Sequence, residues 1–82
     1  MNLYETTFDC KCPANGVRVT YTLKLYHKNM VFVESLVDEL VKFKDGYHEL
    51  IADKLHNIFG GQQVITAHHH GIDITTWRGF DD

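Results

Sequence analysis

Proline occurs once in this 82-residue chain, cysteine twice and tryptophan once, and no apolar run is longer than Met30 to Val33. A run that short cannot cross a bilayer, which takes about 20 apolar residues. The opening Met-Asn-Leu-Tyr-Glu lacks the basic and then apolar order of a secretory signal, so a cytoplasmic location is expected. Cys10 and Cys12 are separated by one residue, too close for an easy disulfide, and a reducing compartment keeps both as thiols. Charge of one sign is also scarce. Eight Lys and Arg against 11 Asp and Glu give a net charge of -3, which leaves no electrostatic footprint for nucleic acid or an anionic membrane surface. A glycine-rich phosphate loop, a Ser-His-Asp order, Cys-x-x-Cys or His-x-x-x-His spacing and an aromatic stripe interleaved with basic residues are all missing. So are repeats, low-complexity tracts and interdomain linkers.

What is there fits one domain over residues 1–82. A chain of this length buries only about 60% of its unfolded surface. Yet 44% of its residues are apolar, which suggests a core shared with further copies of itself. Leu3 to Asp9 is rich in Tyr, Thr and Phe and reads as a strand. Cys12-Pro13-Ala14-Asn15-Gly16 supplies a turn. In Val17 to Tyr26, Val17, Val19, Tyr21, Leu23 and Leu25 alternate with Arg18, Thr20, Thr22 and Lys24, the pattern of a half-buried strand. Ser35-Leu36-Val37-Asp38 has the form of a capping box, and Leu36, Val37, Leu40 and Val41 line one face of a helix ending near Lys44. A second helix covers Gly46 to Phe59, with Asp45 as its cap, Gly60-Gly61 as its stop and Tyr47, Leu50, Ile51, Leu55, Ile58 and Phe59 as its buried face. Gln62 to His70 and Ile72 to Trp77 read as two further strands. The expected fold is α+β in the order ββααββ: a four-stranded antiparallel sheet with two helices over one face and two open edges that invite pairing with neighbours.

Chemistry is concentrated in three places. His48 and Glu49 open the second helix, where the dipole keeps a carboxylate ionised. An ionised Glu49 can accept two parallel N–H bonds from an amidine-like edge, such as that of guanine or a pterin; the same pair also reads as ordinary solvated first-turn residues. Cys12 beside its turn is a candidate nucleophile or a small buried hydrophobe. In His68-His69-His70, strand alternation lets His68 and His70 share a ligand, with His69 on the other side. Trp77-Arg78 can stack on or pair with an anionic ligand, or anchor a neighbouring subunit.

Taken in order, these pieces resemble the tunnelling-fold enzymes, and among them the 7-cyano-7-deazaguanine reductases of queuosine synthesis. Thr7 to Gly16 resembles the segment that holds that family's nucleophilic cysteine, Val33-Glu34-Ser35 the start of its cofactor motif, and Tyr47-His48-Glu49 its purine-binding motif, with a looser likeness over Gly71-Ile72-Asp73-Ile74. The resemblance implies subunits joined edge to edge into a barrel with sites at their interfaces. It implies that Cys12 forms a covalent thioimide with a nitrile, that His48 and Glu49 hold the deazaguanine, and that Glu34 and Ser35 border NADPH. Three positions depart from the family. Val19 stands where the family has its acidic proton donor, Leu36-Val37-Asp38-Glu39-Leu40 replaces lysines that meet the NADPH phosphates, and His69-His70-Gly71 replaces an Arg-Gly-Gly stretch. Related readings are an amidinotransferase-like use of the thioimide, a zinc-dependent pterin synthase or cyclohydrolase with His68 and His70 as ligands, and a ligand-binding or scaffold homologue without chemistry.

Overall fold

The computed structural model describes residues 1–80. The chain runs β1 (Asn2–Lys11), β2 (Arg18–His27), α1 (Val33–Leu40), α2 (His48–Phe59), β3 (Gln62–His69) and β4 (Ile72–Arg78). All neighbours pair antiparallel in one open sheet of order β1-β2-β3-β4, as the ββααββ pattern requires. The edges are β1 and β4, and no helix among the described residues is long and apolar enough to cross a membrane.

Strand register decides which side chains meet. Cys10 stands opposite Val19, Phe8 opposite Tyr21 and then Ala67, and Thr6 opposite Leu23 and then Ile65. These rows make the buried face, onto which α1 sets Leu36 and Leu40 and α2 sets Ile51, Ala52 and Leu55. At roughly 25 cal/mol per Å² of apolar surface, that layer dominates the stability of so small a chain. The other face carries no helix. Thr7, Thr22, Thr66 and Thr75 stand on it in one row across all four strands, flanked by Thr20 bonded to Asp9 at 2.7 Å and His68 bonded to Asp73 at 2.7 Å.

Both helices differ from the sequence reading at their ends. α1 begins at Val33 with Phe32 as its uncapped N-terminal flank, so Ser35 lies inside the helix and closes no capping box. It stops at Leu40 because Lys42 and Phe43 turn back onto the Glu39 and Leu40 carbonyls, and Phe43 then reaches Phe8, ring centres 6.0 Å apart. Asp45 does not cap α2. It bridges Lys11 instead, where the Lys11 N–H bonds the Lys44 carbonyl at 3.1 Å and the Gly46 N–H bonds the Lys11 carbonyl at 3.0 Å. Gly60 ends α2 at φ 67 and ψ -149, a conformation open to glycine, and so supplies the stop expected of it. Val37 and Val41 on the α1 side, and Tyr47, Leu50 and Ile58 on the α2 side, stay exposed rather than buried, because one sheet face has room only for the inner stripe of each helix.

The end of α2 is secured from the sheet. Gln63, 1% exposed, donates its side-chain amide to the Leu55 carbonyl at 3.1 Å and the Gly60 carbonyl at 2.8 Å. Gln63→Leu leaves both carbonyls without this donor, and a loss of about 1–3 kcal/mol is expected. Urea denaturation measures it; an unchanged midpoint would show that the carbonyls find other partners.

Candidate functional site

One cleft of about 170 Å³ opens where the end of β1 meets the start of α2. Cys12, Tyr21 and Val19 reach it from the first hairpin, Gly46, Tyr47 and His48 from the α2 approach, and His69 and Ile74 from the second hairpin. Local bonding holds Cys12 in place. Its N–H bonds the Val17 carbonyl and its own carbonyl takes the Gly16 N–H, each at 2.8 Å, while the Asn15 side chain accepts the Val17 N–H at 3.0 Å. Gly46 is needed for close packing. A Cβ there would lie 3.1 Å from Ile51 Cγ1 and 3.9 Å from the Cys10 Sγ.

The two thiols differ. Cys10 points into the core, and burial, followed by the nearby Asp45 charge, raises its pKa against the opposing Lys11 backbone bond. It stays a protonated, shielded thiol, whereas Cys12 is only half-buried and lines the cleft. Tyr21 packs between Phe8, stacked at 5.3 Å, and the His48 ring at 5.4 Å. Burial, then the Cys10 and Cys12 charges, raises its phenol pKa.

His48 is the most telling member. Both of its ring nitrogens are shut from solvent, and among the described residues neither has a hydrogen-bond partner within 3.5 Å, the Ile65 backbone being a weaker, longer neighbour. Burial lowers its pKa, opposed by the Ile65 backbone and the Glu49 charge and reinforced by Arg78, so it is neutral at pH 7. A buried imidazole without partners costs about 1–3 kcal/mol, an expense that a bound ligand would offset.

The remaining expected residues lie elsewhere. Glu49 follows His48 on α2, but its side chain is 81% exposed and turns towards Arg78, whose guanidinium stands 3.8 Å away and bonds Asp53 at 2.8 Å. Glu34 and Ser35 lie on the exposed side of α1, a helix that carries Asp38 and Glu39 and no basic residue. This surface does not fit the phosphates of NADPH. The histidine triplet divides three ways, because β3 ends at His69 and His70 turns at φ 53. His68 bonds Asp73 on the helix-free face, His70 takes a bond from the Asn15 amide at 2.8 Å, and His69 lines the cleft. His68 and His70 therefore face separate partners rather than one shared ligand, and among the described residues no three His, Cys, Asp or Glu side chains form a metal set.

Tyr21 and His69 line the cleft without belonging to any of the motifs singled out in the sequence for this site. The alternation of β2 already put Tyr21 on the buried face, and a polar tip there was the available signal. His69 became visible only with the end of β3. Compared with family models, curated proteins and solved structures, the chain matches none.

Proposed function

We propose that this chain is a tunnelling-fold subunit that binds a deazaguanine or related purine and whose Cys12 adds to an exocyclic nitrile. The observation that carries this reading is the sharing of one mainly apolar cleft by the Cys12 thiol and the partnerless His48 ring. Flat heterocycles suit such a space, beside the aromatic rings of Tyr21, Tyr47 and His48.

The reading carries with it assembly into a ring, which the two open sheet edges would allow. An even number of antiparallel strands lets β1 of one copy continue the alternation beside β4 of the next. On this plan α1 of one copy comes beside α2 of its neighbour, because α2 packs on β3 and β4 while the end of α1 lies beside β1. Exposed Val33, Val37 and Val41 on α1 would then be covered by the neighbouring copy. Glu49, on the β4 side, would stand at the seam, where its carboxylate can serve a site shared by two copies.

In the addition, the sulfur bonds to the nitrile carbon and one S–H is added across C≡N, with no leaving group and no change of redox state. No step is assigned to NADPH. Incubation with 7-cyano-7-deazaguanine is expected to raise the intact mass by that of the whole nitrile, with Cys12→Ala abolishing the adduct and Cys10→Ala keeping it. Well-folded wild-type protein that shows no adduct rejects the covalent mechanism. A second reading, binding without chemistry, is favoured by Val19, which gives the cleft an apolar wall where the resembled family has a carboxylic acid. Adduct formation also decides against that reading.

A further inference from the structure

Resting on the thiol addition proposed above, we infer that Tyr21 supplies the proton to the nitrile nitrogen. Val19 and Tyr21 face the same side of β2, roughly 6.5 Å apart along the strand, and both line the cleft that holds Cys12. Of these two side chains on the cleft wall, only Tyr21 carries a proton that a nitrile nitrogen can take. The ring cannot swing away, since Phe8 stacks on one side at an interplanar angle of 17° and His48 leans on the other at 49°.

Its chemistry suits the task. Burial, then the charged forms of Cys10 and Cys12, raises the phenol pKa, so the hydroxyl stays protonated across the neutral range and gives its proton up only to a strongly basic atom such as a developing nitrile anion. When the Cys12 sulfur attacks carbon, one π pair of the C≡N bond moves to nitrogen. Tyr21 passes its proton to that nitrogen and takes the proton Cys12 releases. S–C and N–H bonds form, while S–H and one C–N π bond break. Tyr21 ends as it began, and no oxidant or reductant is consumed. His69 also reaches the cleft, where its ring packs against His70, centres 4.3 Å apart, and the Tyr21→Phe and His69→Gln variants separate its role from that of Tyr21.

Tyr21→Phe keeps the stacked ring and removes only the hydroxyl. The rate of adduct formation with 7-cyano-7-deazaguanine is expected to fall about 100-fold, the usual cost of losing one donor to a developing anion. Two controls are expected to stay within about twofold of wild type, by the physical reasoning that neither creates charge on a nitrile nitrogen: the dissociation constant for 7-deazaguanine, which has no nitrile, and alkylation of Cys12 by iodoacetamide. An unchanged adduct rate in Tyr21→Phe overturns the assignment. Equal slowing of adduct formation and alkylation does so as well, since the thiol itself would have moved, and a large loss in His69→Gln with none in Tyr21→Phe gives the role to His69. If wild-type protein forms no adduct, the proposed function fails first and this step with it, a result distinct from failure of Tyr21→Phe alone.

Discussion

Leu23→Ala is expected to leave little or no folded protein at 37 °C. Leu23 is 0% exposed, stands in register between Thr6 and Ile65 on the two flanking strands, and belongs to the cluster that both helices cover. Truncating a fully buried leucine costs about 2–5 kcal/mol through lost transfer energy and the residual cavity. A chain of this size has about 4–12 kcal/mol in total at the typical ~0.05–0.15 kcal/mol per residue. Alanine adds a further penalty in a central strand, where a small side chain packs poorly against its cross-strand partners. The melting temperature is expected to drop by at least about 10 °C, since each 1 kcal/mol shifts a small domain by roughly 4–8 °C. Thermal unfolding followed by circular dichroism tests this. A shift of only a degree or two would mean that neighbouring copies or a collapsing α2 fill the space, and that the core is more plastic than close packing allows.

Leu23 is also where sequence and structure agree best, and the reason is geometric. Strict alternation from Val19 to Leu25 has a period of two, which fixes the face of each residue once one face is buried, and the register then carries that choice to β1 and β3. The helices were less legible. Apolar spacing in Leu36, Val37, Leu40 and Val41 defined a stripe, but how much of a stripe is buried depends on the width of the sheet beneath it, which no local pattern encodes. Asp45 looked like a cap because caps are local. Its actual use, pairing with Lys11, joins residues distant in sequence. The site divides in the same way. Cys12 and His48 were singled out from local motifs and fall in one cleft, but Glu49, adjacent to His48 in sequence, turns to the far side because successive residues on a helix point about 100° apart. The β2 alternation puts the polar tip of Tyr21 on the buried face, but only strand pairing brings it to the cleft beside Cys12.

His48→Leu is expected to move stability and binding in opposite directions. A residue kept for packing weakens the protein when replaced, whereas one kept for a ligand in spite of its cost can strengthen it. His48 has two solvent-shielded nitrogens without partners, so an apolar side chain of similar size removes an unfavourable burial of about 1–3 kcal/mol. The gain has a pH signature. In the unfolded chain His48 takes up its proton near pH 6.5, while burial holds the folded pKa below that value. As pH falls through about 6.5 the unfolded state binds the extra proton first, so the wild type loses stability until the folded pKa is passed. The leucine variant lacks that loss, and the stability difference between the two proteins should widen from pH 7 towards acid in urea titrations at several pH values. Over the same series 7-cyano-7-deazaguanine should fail to bind the variant, read by the missing adduct and by calorimetry with 7-deazaguanine. A variant less stable than wild type at every pH would make His48 a packing residue. A stability difference that stays flat with pH would mean that its nitrogens reach solvent in the native state, and the cleft would lose the feature that marks it as a place for a ligand.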